Sequence, residues 1–196
     1  MVFVKIKNKW NEIDSYFKCC YDNCINTNNT IGYDNYVHIY AENSFKKPQN
    51  SSTYSLYYFE IKSKFERELK GSESYMQIGL RNCSTTNYIY YYAKYGEINN
   101  ESVSFILSTF SWNNNDIFGC GLVYPPTNKL NEFPYVFFTQ NGKQIGKGVL
   151  LKKKSDLYKP RVWLYCCSIE ANFGNDLESK PFTYDVSKHL IIKEFY

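Results

Sequence analysis

Arginine is scarce in this chain. Only Arg67, Arg81 and Arg161 among the 23 basic residues are Arg, and the rest are Lys. Phosphate and base recognition draw on the planar guanidinium fork. A net charge of +4 carried almost wholly by Lys is therefore a weak basis for nucleic-acid binding, and no nucleic-acid partner is expected. Histidine is scarcer, with His38 and His189 alone. No Ser or Cys lies in a nucleophile motif such as G-x-S-x-G, so a Cys-His or Ser-His hydrolase is not expected and no catalytic residue is assigned. Residues 142–148 lack the spacing and the following Ser or Thr of a phosphate loop. No apolar run approaches the roughly 18 residues of a membrane span, and no membrane partner is expected. The opening run Met1-Val2-Phe3-Val4-Lys5-Ile6-Lys7 is charged too early for a secretory signal. A cytosolic protein, or one secreted after loss of a signal, fits that start.

Rings are what the chain has in excess. Aromatic residues make up 19% of it, as 20 Tyr, 14 Phe and 3 Trp, within a hydrophobic share of 43%. A core built from rings buries large areas, but every Tyr hydroxyl needs a partner or water. Many Tyr must then be half-buried or on a surface, which suggests a contact face rather than a reaction centre. The same surplus of Tyr, Phe, Lys, Asn and Ile is also what an AT-rich genome produces. The length suits one domain without staples. Seven Cys, at 19, 20, 24, 83, 120, 166 and 167, are odd in number and include two adjacent pairs. They read as reduced, mostly buried thiols. Cys20 and Cys24 match half of a zinc site, but Cys166 and Cys167 point to opposite sides of a strand and do not complete it. No metal or cofactor is expected. The Lys152-Lys153-Lys154 run reads as a solvated loop.

Strand signals recur about every ten residues, and no long stretch keeps a helical period. Strands are expected over residues 2–7, 36–40, 56–63, 75–80, 102–109 and 117–123. Residues 19–32 and 46–55 read as loops, and 64–70 as a charged turn between strands. Asn141-Gly142 sits between two strand-like runs, 135–140 and 143–146, and marks a hairpin. A second hairpin is expected from 161–165 and 168–173, turning at Cys166-Cys167. The tail 190–196 suits an edge strand. The pattern is that of an all-β sandwich or barrel.

Five short motifs then follow one another in an order that resembles the SPRY domain family. They are Tyr57-Tyr58-Phe59-Glu60-Ile61, Ile78-Gly79-Leu80, Asn115-Asp116-Ile117-Phe118-Gly119-Cys120-Gly121, the 137–146 hairpin, and Ala171-Asn172-Phe173-Gly174 with Pro181-Phe182-Thr183-Tyr184-Asp185. The last resembles the Ran-binding-protein-M type. Asn115 replaces the family's first Gly, and Ser111-Trp112-Asn113-Asn114 replaces its Tyr-Gly stretch. The resemblance implies a bent β-sandwich of two antiparallel sheets over residues 35–188. Residues 1–34 would be an N-terminal extension packed on it, and 189–196 an edge strand or tail. It also implies a non-catalytic, monomeric module that binds a protein or short peptide through loops at one end of the sandwich. A secreted effector of plant-parasitic nematodes acting on host proteins, and a substrate-recognition module of a ubiquitin ligase, are two settings for such a module. By position the family's binding loops match Tyr40, Ala41, Glu42 and Asn43, then Tyr90 and Tyr92 within 88–95, then Tyr165 and Cys166. Simple alternation between core and solvent is the competing account of 88–95, because five Tyr in eight residues cannot all face one side. Tyr58, Phe137, Phe138 and Phe173 read as structural. The alternative function is a carbohydrate-binding sandwich using Trp112 and Trp163, with Asp116 as its nearest acid.

Overall fold

The computed structural model describes residues 1–14, 24–25, 36–65, 74–101, 103–152 and 155–196. The regular elements among them are β1 (Val2–Phe3), β2 (Trp10–Asp14), β3 (Cys24–Ile25), β4 (Val37–Ala41), β5 (Phe45–Lys46), β6 (Ser55–Phe65), β7 (Tyr75–Asn82), β8 (Tyr88–Tyr92), β9 (Glu97–Asn100), β10 (Val103–Ile106), β11 (Ile117–Tyr124), β12 (Tyr135–Gln140), β13 (Lys143–Leu150), β14 (Leu157–Tyr165) and β15 (Cys167–Asn172). A single 3-10 turn, Val186–Lys188, is capped by the Asp185 side chain. The first sheet runs β13-β12-β11-β6-β15-β3, with β1 parallel to the start of β6, and the second runs β10-β9-β8-β7-β14-β4-β2, with β5 beside β14. The fold is an all-β sandwich of two sheets.

The core lies between the layers. Phe59, Ile61, Phe118, Cys120, Val136, Phe138 and Phe173 come from the first sheet's inner side, and Val37, Ile39, Met76, Ile78, Tyr91, Val162 and Leu164 meet them from the second. Trp10 joins this core and packs edge-on against Phe173, with centroids 4.9 Å apart. Among the rings read as structural from the sequence, Tyr58, Phe137, Phe138 and Phe173 are all buried.

The two layers differ in burial pattern. Strands β6, β11 and β12 are buried at nearly every position, whereas β8 alternates strictly between half-exposed and buried. Such unbroken burial means that both faces of a sheet are covered. Here the outer cover of the first sheet is the C-terminal segment: Phe182, Tyr184, Val186, Ile192 and Phe195 pack on Leu56, Tyr58, Val123, Tyr135 and Phe137. Glu60 fastens that segment. Its carboxylate is buried and accepts the backbone N–H of Thr183 and of Tyr184, both at 2.8 Å, and the Tyr58 hydroxyl at 2.9 Å. Burial pushes the Glu60 carboxyl up, and those three donors pull it back toward the ionised form. His189 is held between the Tyr135 hydroxyl at 3.1 Å and the Tyr184 hydroxyl at 2.6 Å, stacked on Phe137 at 4.1 Å. Burial lowers its pKa to about 4.

The Asn141-Gly142 hairpin forms as expected, with both residues at positive φ, 49° and 77°. The second expected hairpin does not form. β14 belongs to the second sheet and β15 to the first, and the chain changes layer at Cys166, whose φ is 54°. A left-handed residue between two extended runs serves a corner between sheets as well as a hairpin turn, so the one-residue break did not distinguish them. The strand expected over 2–7 shrinks to β1, and the tail makes one parallel bridge, Gly148 to Phe195, rather than a strand. Cys19, Cys20, Arg67, most of the 19–32 loop, 66–70 of the charged turn, and Lys153 and Lys154 lie outside the described residues.

Candidate interaction surface

Residues directly opposed in antiparallel strands share a face, so the register of the second sheet lays out its outer side. One cross-strand row reads Tyr40, Arg161, Gly79, Tyr90. The next reads His38, Trp163, Gln77, Tyr92, and the next pairs Tyr165 with Tyr75. These rows bring the half-exposed rings of Tyr75, Tyr90, Tyr92, Trp163 and Tyr165 onto one face.

Arg161 lies at the centre of the first row and is almost fully buried, at 3% exposure. Its guanidinium sits 4.5 Å from the Tyr88 ring centroid and 5.5 Å from that of Tyr90. Both terminal nitrogens donate to Gln77 Oε1, at 3.2 Å each. Nε is buried without a hydrogen-bond partner, and Arg161 has no ion pair among the described residues. Burial lowers its pKa, and the neighbouring Tyr40, Tyr88 and Tyr90 oppose that shift. The Tyr40 and Tyr88 hydroxyls meet at 3.3 Å, and burial, then this contact, pushes Tyr40 up to about 12. Arg81 lies 5.4 Å from the Tyr40 ring, so two guanidinium groups frame one tyrosine pair. Gly79 makes the arrangement possible. A Cβ there would fall 2.0 Å from the Ile89 carbonyl oxygen and 2.6 Å from Tyr90 Cα, and β8 would have to move away.

Beyond Trp163 the face becomes a cluster of rings. Tyr36 stacks on Tyr165 at 4.5 Å and lies 5.1 Å from Trp163, which stacks on His38 at 5.4 Å. Tyr75 lies 5.7 Å from Tyr165 and 5.9 Å from Tyr92, and the Lys94 ammonium sits 4.1 Å above the Tyr75 ring. Trp163 Nε1, like Arg161 Nε, is shielded and has no acceptor among the described residues. Tyr36 and Tyr95 remain 48% and 46% exposed, large fractions for rings of this size.

Four of the expected binding residues, Tyr40, Tyr90, Tyr92 and Tyr165, come together on this face. They do so from strands rather than from loops. Residues 88–92 alternate, with Ile89 and Tyr91 in the core and Tyr88, Tyr90 and Tyr92 outward. Ala41 and Cys166 are buried. Glu42 and Asn43 follow β4 and are tied to the N-terminal segment: Glu42 pairs with Lys9 at 3.9 Å, and Asn43 donates to the Lys7 carbonyl at 2.9 Å. Arg161, Gln77, Tyr75, Tyr36 and Tyr88 were not singled out from the sequence. The signal was the alternate positions 159, 161, 163 and 165, which put Lys, Arg, Trp and Tyr on one side of a strand whose other side is apolar.

Residues considered for other chemistry are spent on structure. Both Asp116 carboxylate oxygens accept hydrogen bonds from the adjoining turns, from Asn113 N–H at 2.8 Å, Gln140 at 2.9 Å and Asn141 at 2.8 Å. Trp112 donates to Ser63 at 3.0 Å and packs on Phe65. Cys120, Cys166 and Cys167 are buried, Cys83 is exposed, and burial pushes the Cys120 thiol well up.

The solved structure of a human SPRY domain superposes on 83% of this chain and 100% of its own, with a TM-score of 0.56 at 18% identity. The fold is SPRY-like. The carbohydrate recognition domain of Emp47p (9% identity, 86% of this chain and 87% of that one, TM-score 0.49) and lectin II from Ulex europaeus (6%, 87% and 95%, TM-score 0.47) are also similar. No protein-family model matches the chain, and no curated protein is similar to it. On the SPRY-like frame, the ring-rich face belongs to the second sheet, opposite the one that the C-terminal segment covers.

Proposed function

We propose that this chain is a non-catalytic protein-interaction module and that it binds a peptide or a partner protein on the outer face of the second sheet. The observation that carries the reading is the row structure of that face. Rings are packed side by side there, and two shielded donors, Arg161 Nε and Trp163 Nε1, have no acceptor among the described residues. Tyr and Trp offer a large amphipathic contact at low entropy cost, and such rings dominate interface energetics. The SPRY-like fold supports the same reading. Within it, the motif order up to Asp185 supports kinship with the Ran-binding-protein-M type, and an effector acting on host proteins is one setting for such a module.

Panning a random peptide display library against the chain, followed by binding of the selected peptides to single Tyr90→Ala, Tyr92→Ala and Tyr165→Ala variants, tests the surface. Losses of about tenfold or more with unchanged thermal unfolding are expected. Peptides that bind all three folded variants as tightly as the parent place the contact elsewhere. Glycan binding with no selected peptide would favour the carbohydrate reading, for which Trp163 is the ring on this face.

A further inference from the structure

We infer that Arg161 is the anchor of a carboxylate site, which receives an Asp or Glu side chain of an acidic peptide segment beneath the Tyr40–Tyr88 pair. This rests on the interaction-surface reading above and adds the chemistry of the partner. A guanidinium carries five N–H donors in a planar fork. Gln77 Oε1 occupies the end of the fork, taking one hydrogen from each terminal nitrogen, and the edge that includes Nε is left with no acceptor. By strand register, acids next to these rows are Glu12, opposite Tyr40, Asp14, opposite His38, and Glu97, opposite Tyr92. Counted from β14, they stand two, two and three strands away, at about 4.8 Å per strand. Desolvating an ion costs more, even after relaxation, than a ring under a buried cation returns. The rings and one amide oxygen therefore leave this cation short of its hydration energy, and an anion on the Nε edge supplies the remainder.

The shape of that edge selects the anion. Two parallel N–H groups match the two oxygens of a carboxylate in one plane. Arg81, beside Tyr40, extends the positive charge along the same side of the sheet and suits a further acidic residue in the segment. The site also has a roof. Tyr40 rises from β4 and Tyr88 from β8, with β14 and β7 between them, so the hydroxyls that meet at 3.3 Å join across the strands that carry Arg161 and Gly79. Among the described residues one long hydroxyl–hydroxyl bond joins the two rings of this roof, and it parts at small cost when a side chain enters.

The test is a titration of the full ¹⁵N-labelled chain at physiological ionic strength, read at the arginine Nε–Hε resonances. The probes are a capped Gly/Glu hexapeptide, its Gly/Gln counterpart, and inorganic phosphate. A saturable shift of the Arg161 resonance with the Glu peptide is expected, with the Gln peptide weaker by about tenfold or more. Arg161→Lys keeps the charge but loses the fork, and its affinity for the Glu peptide falls by a similar factor. Tyr88→Phe unlatches the roof and binds the Glu peptide severalfold tighter. No saturable shift, equal binding of the Gln peptide, or saturation by phosphate without the Glu peptide overturns the carboxylate assignment. If Arg161→Lys does not fold, an unchanged affinity in Tyr88→Phe overturns it instead. Selected display peptides that still need Tyr92 and Tyr165 but show no preference for acidic residues sink this inference alone. Indifference to Tyr90, Tyr92 and Tyr165 sinks the surface reading beneath it.

Discussion

The two outer faces of the sandwich each bury one charged side chain, and they treat it in opposite ways. On the first sheet Glu60 accepts two backbone N–H groups and a tyrosine hydroxyl, all supplied by the chain itself. On the second sheet Arg161 holds one amide oxygen, and its Nε has no acceptor among the described residues. The first face is closed by residues from Phe182 to Phe195, so its rings are core. The second carries as many rings with no C-terminal cover, and its rings contact one another and two arginines. A buried charge that the fold satisfies acts as a structural clasp. A buried charge left short of partners, within a ring-rich surface, is where a ligand gains most from binding.

Mutagenesis sharpens the contrast. Glu60→Ala leaves two partly buried N–H groups and the buried Tyr58 hydroxyl without their carboxylate and releases the C-terminal cover. A loss of about 3–5 kcal/mol is expected in chemical denaturation, with faster amide exchange at Thr183 and Tyr184. Arg161→Met should change stability by less than about 1 kcal/mol, because an apolar replacement removes a desolvated charge. Equal losses in the two variants would erase the distinction between clasp and binding site.

Acid should act on the covered face first. His189 titrates near 6.5 when unfolded, and its folded pKa is about 4. The unfolded chain therefore binds the proton more readily, and the His189 contribution is intact above 6.5 and lost as pH falls from 6.5 toward 4. On the order of 2 kcal/mol should disappear across that window in thermal melts, and His189→Phe should flatten the dependence. Smaller effects on stability belong to the open face. Tyr92→Ala and Tyr165→Ala each remove a ring pair, which contributes about 1 kcal/mol, while peptide binding falls far more. Tyr88→Phe, which deletes only the roof hydroxyl, should cost no more than about 0.5–1 kcal/mol in the same melts.

Much of the architecture is legible residue by residue. Asn141-Gly142 can hardly be anything but a tight turn, and the ring-rich runs of β6, β7, β11 and β12 read as strands from their β-branched and aromatic content. The 161–173 segment was misread because two extended runs with a one-residue break look alike whether they pair with each other or part into separate layers. The strands β2, β3, β5 and β9 were missed, and β8 was only the competing account of 88–95, because polar residues such as Asn11, Lys46 and Asn99 on edge or short strands carry little periodic signal. Tyr40, Tyr90, Tyr92 and Tyr165 were picked out by resemblance in loops, and they meet on a sheet face instead.

The sequence by itself determined that the chain is all-β, rich in rings and poor in catalytic groups, because alternation, turn chemistry and composition are local properties. Only the tertiary structure decided which rings are core and which form a surface. Tyr58 and Tyr90 sit in similar strand contexts, and what separates them is whether a distant segment, residues 182–195, lies over the sheet. The same holds for the charges. Glu60 and Arg161 are single ionisable residues in apolar runs, and their roles diverge because packing between segments more than 100 residues apart brings two backbone donors to Glu60, beside the local Tyr58 hydroxyl, while strand pairing brings Arg161 a single acceptor.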